Sequence, residues 1–321
     1  MNKTKIIIAL AVAGAANGLF PCEGIVRPET AFAAREREIV KGKRGERFAN
    51  KVDDTAQKRI EEIGAEIFAP AGVPAEDVQT LQSFHYLVLT NCPQMDRRYA
   101  DALEKVYDFV KKEFDFVPAP GYLYAVVFQN QAQYTAFLGN KLKVPPVDAR
   151  STGGVTFGEV YVTFQNDNLL KTLAHEAAHQ LVGTRLKIEG GGSWLQEGLA
   201  VYIEKRFEGR NPSTNIKGRI DQDRYYYFED FLKLNTLLFD PKGYGVLNYE
   251  QAGSMIDFML NGRYRSSFKA YLQLVRANPS PDAHAATQAI ETAYKMNLYR
   301  FENAWRQFCG SQARTKMPGE K

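Results

Sequence analysis

Hydrophobic positions along this chain change their period about halfway. Residues 85–90 (His-Tyr-Leu-Val-Leu-Thr) form a β-rich run, and residues 122–128 form a second. Between them Leu103, Val106, Tyr107, Val110 and Phe114 recur at helical spacing within 99–114, so strand is followed by helix. Residues 131–138 carry a short helical pattern. The segment 153–164, rich in Gly, Val, Tyr and Thr, reads as a pair of short extended runs or a hairpin. From Asn168 onward the period is that of helices, over 169–182, 193–207, 228–238, 249–261, 266–277, 281–295 and 299–312. The pattern predicts an α+β fold, an N-terminal mixed β-sheet with helices followed by a helical half.

The flanks read differently. Met1-Asn2-Lys3-Thr4-Lys5 is basic and residues 6–20 are uncharged, a basic region and an apolar region of secretory length, too short to span a bilayer comfortably. Ala31-Phe32-Ala33 offers a small-x-small cleavage site, with an earlier cut near 13–16 as the alternative. A signal peptide is therefore expected over 1–33, with a periplasmic or secreted mature protein and no stable membrane span after cleavage. Leu19-Phe20-Pro21-Cys22 departs from a lipoprotein box at Pro21. Residues 34–79 read as a charged leader, with Arg35-Glu36-Arg37-Glu38 and Lys41-Gly42-Lys43-Arg44 inside it. The turn residues Ala69-Pro70-Ala71-Gly72-Val73-Pro74 close it, so the ordered domain is expected over 80–312, with a tail at 313–321.

Composition narrows the chemistry. The chain has 321 residues, 45% hydrophobic and 24% charged, enough for a real core. Its formal charge of +4 includes no dense basic stripe, which argues against nucleic acid as the main partner. Three cysteines exclude a disulfide-dense mini-fold and a multi-cysteine metal cage. Loss of residues 1–33 removes Cys22 and leaves Cys92 and Cys309, either a disulfide or two separate buried thiols.

Only His85, His175, His179 and His284 occur, yet two of them sit in His175-Glu176-Ala177-Ala178-His179. At about 100° per residue the two imidazoles lie one turn apart on one helix face, where both reach a single metal ion. Glu176, beside that face, can take a proton from water without being a ligand. Asp167 or Asn168 can cap this helix, and Gly183 can close it. Downstream, Ser193 and Gln196 form a capping-box pattern that starts a second helix and presents Glu197 in its first turn as third ligand. Gly190-Gly191-Gly192 supplies the turn that folds the second helix back on the first.

His175-Glu176-x-x-His179 with Trp194-Leu195-x-Glu197-Gly198-x-Ala200 resembles the gluzincin superfamily of zinc metallopeptidases, and within it the bacterial exported proteins with a peptidase MA-like domain. The likeness extends over about residues 80–310. It implies one Zn2+ per chain held by His175, His179 and Glu197, with Glu176 activating water and the site in the cleft between the two halves. Tyr249-Glu250-Gln251-Ala252-Gly253 is similar to the family's Tyr-Glu-x-Gly element, which makes Tyr249 the candidate to stabilise the oxyanion; the alternative is a core aromatic. No Gly-x-Met-Glu-Asn element precedes the zinc motif, and in aminopeptidases that element anchors the substrate amino terminus. Glu159 is the only acid in the corresponding segment.

The expected function is an exported zinc-dependent peptidase acting on peptides or proteins, endopeptidase favoured over aminopeptidase. Its alternative is a zinc-containing envelope binding or scaffold protein that cleaves nothing. The extended run at 160–163 is expected to pair with substrate by strand addition. Glu204, two turns after Glu197, either accepts from a ligating histidine or stands in a solvated pair with Lys205 and Arg206, the latter favoured. His284 reads as an exposed helix start and His85 as a strand residue.

Overall fold

Strands that are apolar at successive positions need cover on both faces. In the computed structural model, which describes residues 54–310 apart from 96, 168 and 239, that cover is present. β1 (Gln79–Gln82), β2 (Tyr86–Thr90), β3 (Leu123–Phe128), β4 (Gly154–Phe157) and β5 (Val160–Phe164) form one mixed sheet in the order β1-β2-β3-β5-β4. β2, β3 and β5 run parallel, with Val88 opposite Ala125 and Val126 opposite Val162. β1 and β4 are the antiparallel edges. Every residue of β2, β3 and β5 is buried. Tyr86, Val88, Ala125, Val127 and Tyr161 enter one core, and Leu87, Leu89, Val126, Val160 and Val162 enter the other. Alternation along each strand therefore feeds two cores rather than a core and solvent.

The helices are α1 (Asp54–Ile63), α2 (Arg97–Phe114), α3 (Gln131–Leu142), α4 (Pro146–Ser151), α5 (Leu169–Thr184), α6 (Ser193–Phe207), α7 (Ile216–Asp221), α8 (Phe228–Phe231), α9 (Val246–Asn261), α10 (Phe268–Ala277), α11 (Ala283–Tyr294) and α12 (Leu298–Phe308). The architecture is mixed α and β, sheet first and helices after. α1 and α3 contribute Ala56, Ile63, Tyr134 and Phe137 to one core, while α2, α5, α6 and α9 share the other. α5 packs against β4 and β5 on one side and α6 on the other, and α6 packs in turn on α9.

Two expectations change, and one open alternative is decided. The ordered chain does not wait for the turn residues at 69–74: α1 buries Ala56 and Ile63, and the following turns bury Ile67 and Phe68, so part of the charged leader belongs to the packed structure. The helix expected over 228–238 stops at Phe231, because Lys233 and Leu234 donate to carbonyls three residues back and the Leu237 carbonyl is taken by Asn248. Cys92 and Cys309 are buried free thiols, which decides against their pairing. The signal segment 1–33 and the tail 313–321 lie outside the described residues. No described helix is long and apolar enough to cross a membrane.

α6 and α9 approach closely because glycine faces the neighbour from each. A Cβ on Gly198 would lie 2.9 Å from the Ala252 carbonyl oxygen, and one on Gly253 would lie 2.6 Å from Val201 Cγ1. Overpacking of this kind costs about 1–3 kcal/mol, whereas alanine's helix propensity returns up to about 1 kcal/mol. Gly198→Ala is therefore expected to lower stability in urea unfolding. A rise of about 1 kcal/mol, the propensity gain alone, would contradict the close crossing.

Candidate metal centre

α5 is amphipathic only in a limited sense, since both of its faces are covered: Leu173, Ala174, Ala177, Ala178 and Leu181 are all buried, and so are His175, Glu176 and His179. One turn separates the imidazoles, as the spacing requires. α6 follows through the glycine loop, where Gly191 and Gly192 take φ of 84° and 86°. At Gly190 a Cβ would lie 2.5 Å from the backbone of Pro279. The capping box does not form. Gly192 occupies the N-cap, and Gln196 instead donates to the carbonyls of Ile188 and Gly190 at 3.2 and 2.9 Å, tying the loop to the helix it starts. Of the caps expected for α5, Asn168 lies outside the described residues. Gly183 does not close α5, which continues to Thr184.

The result is a triangle of donor atoms. His175 Nε2 and His179 Nε2 lie 3.2 Å apart, and each is 3.3 Å from Glu197 Oε2. That oxygen is buried and has no hydrogen bond of acceptable geometry. His175, His179 and Glu197 are thus a buried group capable of holding a metal ion. Behind it, Glu204 Oε2 lies 3.1 Å from His175 Nδ1, and Arg210 stands 3.7 Å from Glu204 Oε1. Glu204 therefore faces the histidine rather than forming the solvated pair favoured from sequence, because two turns along α6 return it to the face of Glu197.

Charge at this centre is set by competition between burial and neighbours. Burial disfavours a charged His175, but the carboxylates of Glu197 and Glu204 beside it win and hold it up to about 10. Burial likewise opposes ionisation of Glu197, yet the two imidazoles bring its carboxyl down to about 2. For Glu176, which is fully buried, desolvation prevails over the histidines and a hydrogen bond from Thr156, and its pKa is raised. Tyr249, on α9, is raised by burial and then by Glu197 and Glu176, so its hydroxyl lies within electrostatic reach of both acids and stays protonated.

Thr156 and Gly154 went unrecognised in the sequence. Thr156 Oγ1 donates to Glu176 Oε2 at 2.8 Å, and a Cβ on Gly154 would lie 2.6 Å from Glu176 Cγ. No motif marks them; the only signal is a short extended run before the histidine helix. Other candidates fall elsewhere. Glu159 is exposed on the turn between β4 and β5, where its backbone carbonyl accepts from Gln180 Nε2 at 2.6 Å. His284 is exposed at the start of α11. His85 precedes β2 rather than belonging to it, bonded to Glu104 at 2.7 Å and stacked on Tyr107. The run at 160–163 belongs to β5, which is paired on both sides, so among the described residues the sheet edge beside Glu176 is that of β4. The chain matches no protein-family model and no curated protein in sequence.

Replacing the outer partner of a ligating histidine costs about 10–100-fold in metal affinity. Glu204→Ala should show a loss of that size by competition with a chromophoric chelator, the fold being intact by circular dichroism. Wild-type affinity in this variant would mean that His175 needs no support from α6.

Proposed function

We propose that the protein is a zinc-dependent peptidase of the gluzincin type, with the site in the cleft between sheet and helical half. The observation that carries this is the donor triangle. A tetrahedral ion with bonds of about 2.0–2.1 Å separates its ligands by about 3.3–3.4 Å, and the three edges here measure 3.2, 3.3 and 3.3 Å. Two imidazoles and one carboxylate are also the donor set of hydrolytic zinc sites that keep a fourth position open. Burial agrees: the carboxylates of Glu176, Glu197 and Glu204 lie beside the two imidazoles in a volume nearly closed to water, where a dication would offset negative charge.

A zinc ion bound by His175 Nε2, His179 Nε2 and Glu197 Oε2 would acidify a water molecule and polarise a scissile carbonyl. The chain's own groups do the rest. Glu176 presents Oε1, which has no hydrogen-bond partner, as the proton acceptor; its raised pKa brings the base closer to neutrality, where acceptance and later donation to a leaving amine are both favourable. Tyr249, kept protonated, offers a hydroxyl to the developing oxyanion. The edge of β4 runs past Glu176 and offers unpaired backbone groups to an extended peptide. No carboxylate projects from β4 itself, and Glu159 is exposed on the turn beyond it. An amine clamp is missing from that strand, which favours cleavage at internal bonds of an exported protein's peptide or protein substrate.

Purified protein should contain close to one zinc per chain, and His179→Ala or Glu197→Ala should lose most of it on dialysis against a mild chelator. Glu176→Gln should keep zinc and fold but stop hydrolysis, since the amide cannot accept the proton. Equal inactivity of wild type and Glu176→Gln across a broad peptide library would favour a zinc-containing binding or scaffold protein instead. On paired peptides, cleavage should survive acetylation of the amino terminus. Complete loss on acetylation would establish an aminopeptidase and direct attention to Glu159.

A further inference from the structure

Glu176 is enclosed on one side by an edge strand that the zinc motif does not include. Successive side chains of β4 alternate between faces, and Val155 enters the core on the far side of the sheet. Positions 154 and 156 therefore share the face turned toward α5. Thr156 is 7% exposed, and its Oγ1 lies 2.8 Å from Glu176 Oε2 and 3.3 Å from the backbone carbonyl oxygen of the same glutamate. One hydroxyl hydrogen serves one acceptor, and the shorter contact is the carboxylate. At position 154 the absence of a side chain is what admits the carboxylate: a Cβ there would lie 2.6 Å from Glu176 Cγ, 2.7 Å from Cδ and 2.8 Å from Oε1.

The two oxygens of Glu176 are thereby made unequal. Oε2 is committed to Thr156, whereas Oε1 is buried and has no hydrogen-bond partner. A buried carboxylate with one oxygen unpartnered is costly unless a further group takes it. Two of the three donors of the triangle, His175 and His179, are on the same helix as Glu176, and both act on its charge.

We propose that Thr156 is a positioning residue, one that fixes the Glu176 carboxylate through Oε2 so that Oε1 alone is presented to the reacting water, with Gly154 leaving the room this requires. The proposal rests on the peptidase reading and adds to it a strand residue that the helix motif does not specify. Without the donor, the glutamate keeps its place on α5 but gains rotational freedom about its terminal torsions. A base misplaced by about 1 Å costs up to about a hundredfold in rate, while contacts that hold substrate are unaffected. The mark of such a role is a fall in kcat at nearly constant KM. A threonine that merely satisfied a buried acceptor would change stability and leave kcat alone.

Thr156→Val removes the hydroxyl at nearly constant volume, and Thr156→Ser keeps it. With zinc content equal to wild type, Thr156→Val is expected to lose about 10–100-fold in kcat with KM within about twofold, and Thr156→Ser to stay within about threefold of wild type in both. Wild-type kcat in a folded, zinc-loaded Thr156→Val would overturn the proposal while leaving the peptidase reading intact. If wild type hydrolyses no peptide, the peptidase reading fails, and crystal structures of zinc-loaded wild type and Thr156→Val still decide the positioning claim. A rotated Glu176 carboxylate in the valine variant supports it; an unmoved carboxylate overturns it. The same structures serve if the valine variant is too unstable for kinetics, with Thr156→Ser as the folded reference that must keep the bond to Oε2.

Discussion

Five ionisable side chains, His175, Glu176, His179, Glu197 and Glu204, share a volume from which water is nearly excluded, none of them more than 7% exposed. Burying one such charge unpaired costs several kcal/mol, so the arrangement persists only if the groups answer one another. They do so across two helices: α5 supplies both imidazoles and Glu176, and α6 supplies the two acids that flank His175 at 3.3 and 3.1 Å. Any slip of α6 along α5 would separate both pairs at once. The packing around the cluster therefore has to hold these two helices in register.

The fold fixes that register from several directions. On the sheet side, Gln180 on α5 donates to the carbonyls of Tyr124 and Glu159, pinning the helix to β3 and to the turn before β5. Between the helices, the glycine loop is held to the segment before α11 by a bond from Gly191 N to Ser280 O and by the close approach at Gly190. On the far side, the glycine crossing sets α9 against α6 and so carries Tyr249 toward Glu197. The start of α9 is held by Asp240, which accepts from Tyr226, Lys242, Gly245 and Asn248. Those bonds lower the Asp240 pKa even though burial alone would raise it. Each element beyond the motif thus limits one way in which the charged cluster could come apart.

Much of this was legible in the sequence, because it depends on periodicity. The strands at β2, β3, β4 and β5 and the helices carrying the ligands fall where apolar spacing and turn residues put them. His175, Glu176, His179 and Glu197 were found because helical spacing turns sequence distance into spatial neighbourhood. Glu204 obeys the same rule but was ambiguous, since two basic residues follow it and sequence does not say which way a helix face is turned. Features governed by tertiary competition were not legible. Gln196 leaves its capping box for two loop carbonyls, the helix after Phe231 gives way to bonds made by Asn248, and α1 is charged along its length yet buries Ala56 and Ile63. Thr156 and Gly154 belong to this class as well, because their importance arises from a contact between a strand and a helix twenty residues apart in the chain.

The proposed function places a single ion among the three donors of the triangle. X-ray diffraction from crystals of the purified protein, recorded just above and just below the zinc absorption edge, tests it most directly. One anomalous peak per chain is expected, present above the edge and absent below it, about 2.0–2.2 Å from His175 Nε2, His179 Nε2 and Glu197 Oε2. A zinc-supplemented crystal with the three side chains as described and no peak between them, or with its peak on other residues, would contradict it.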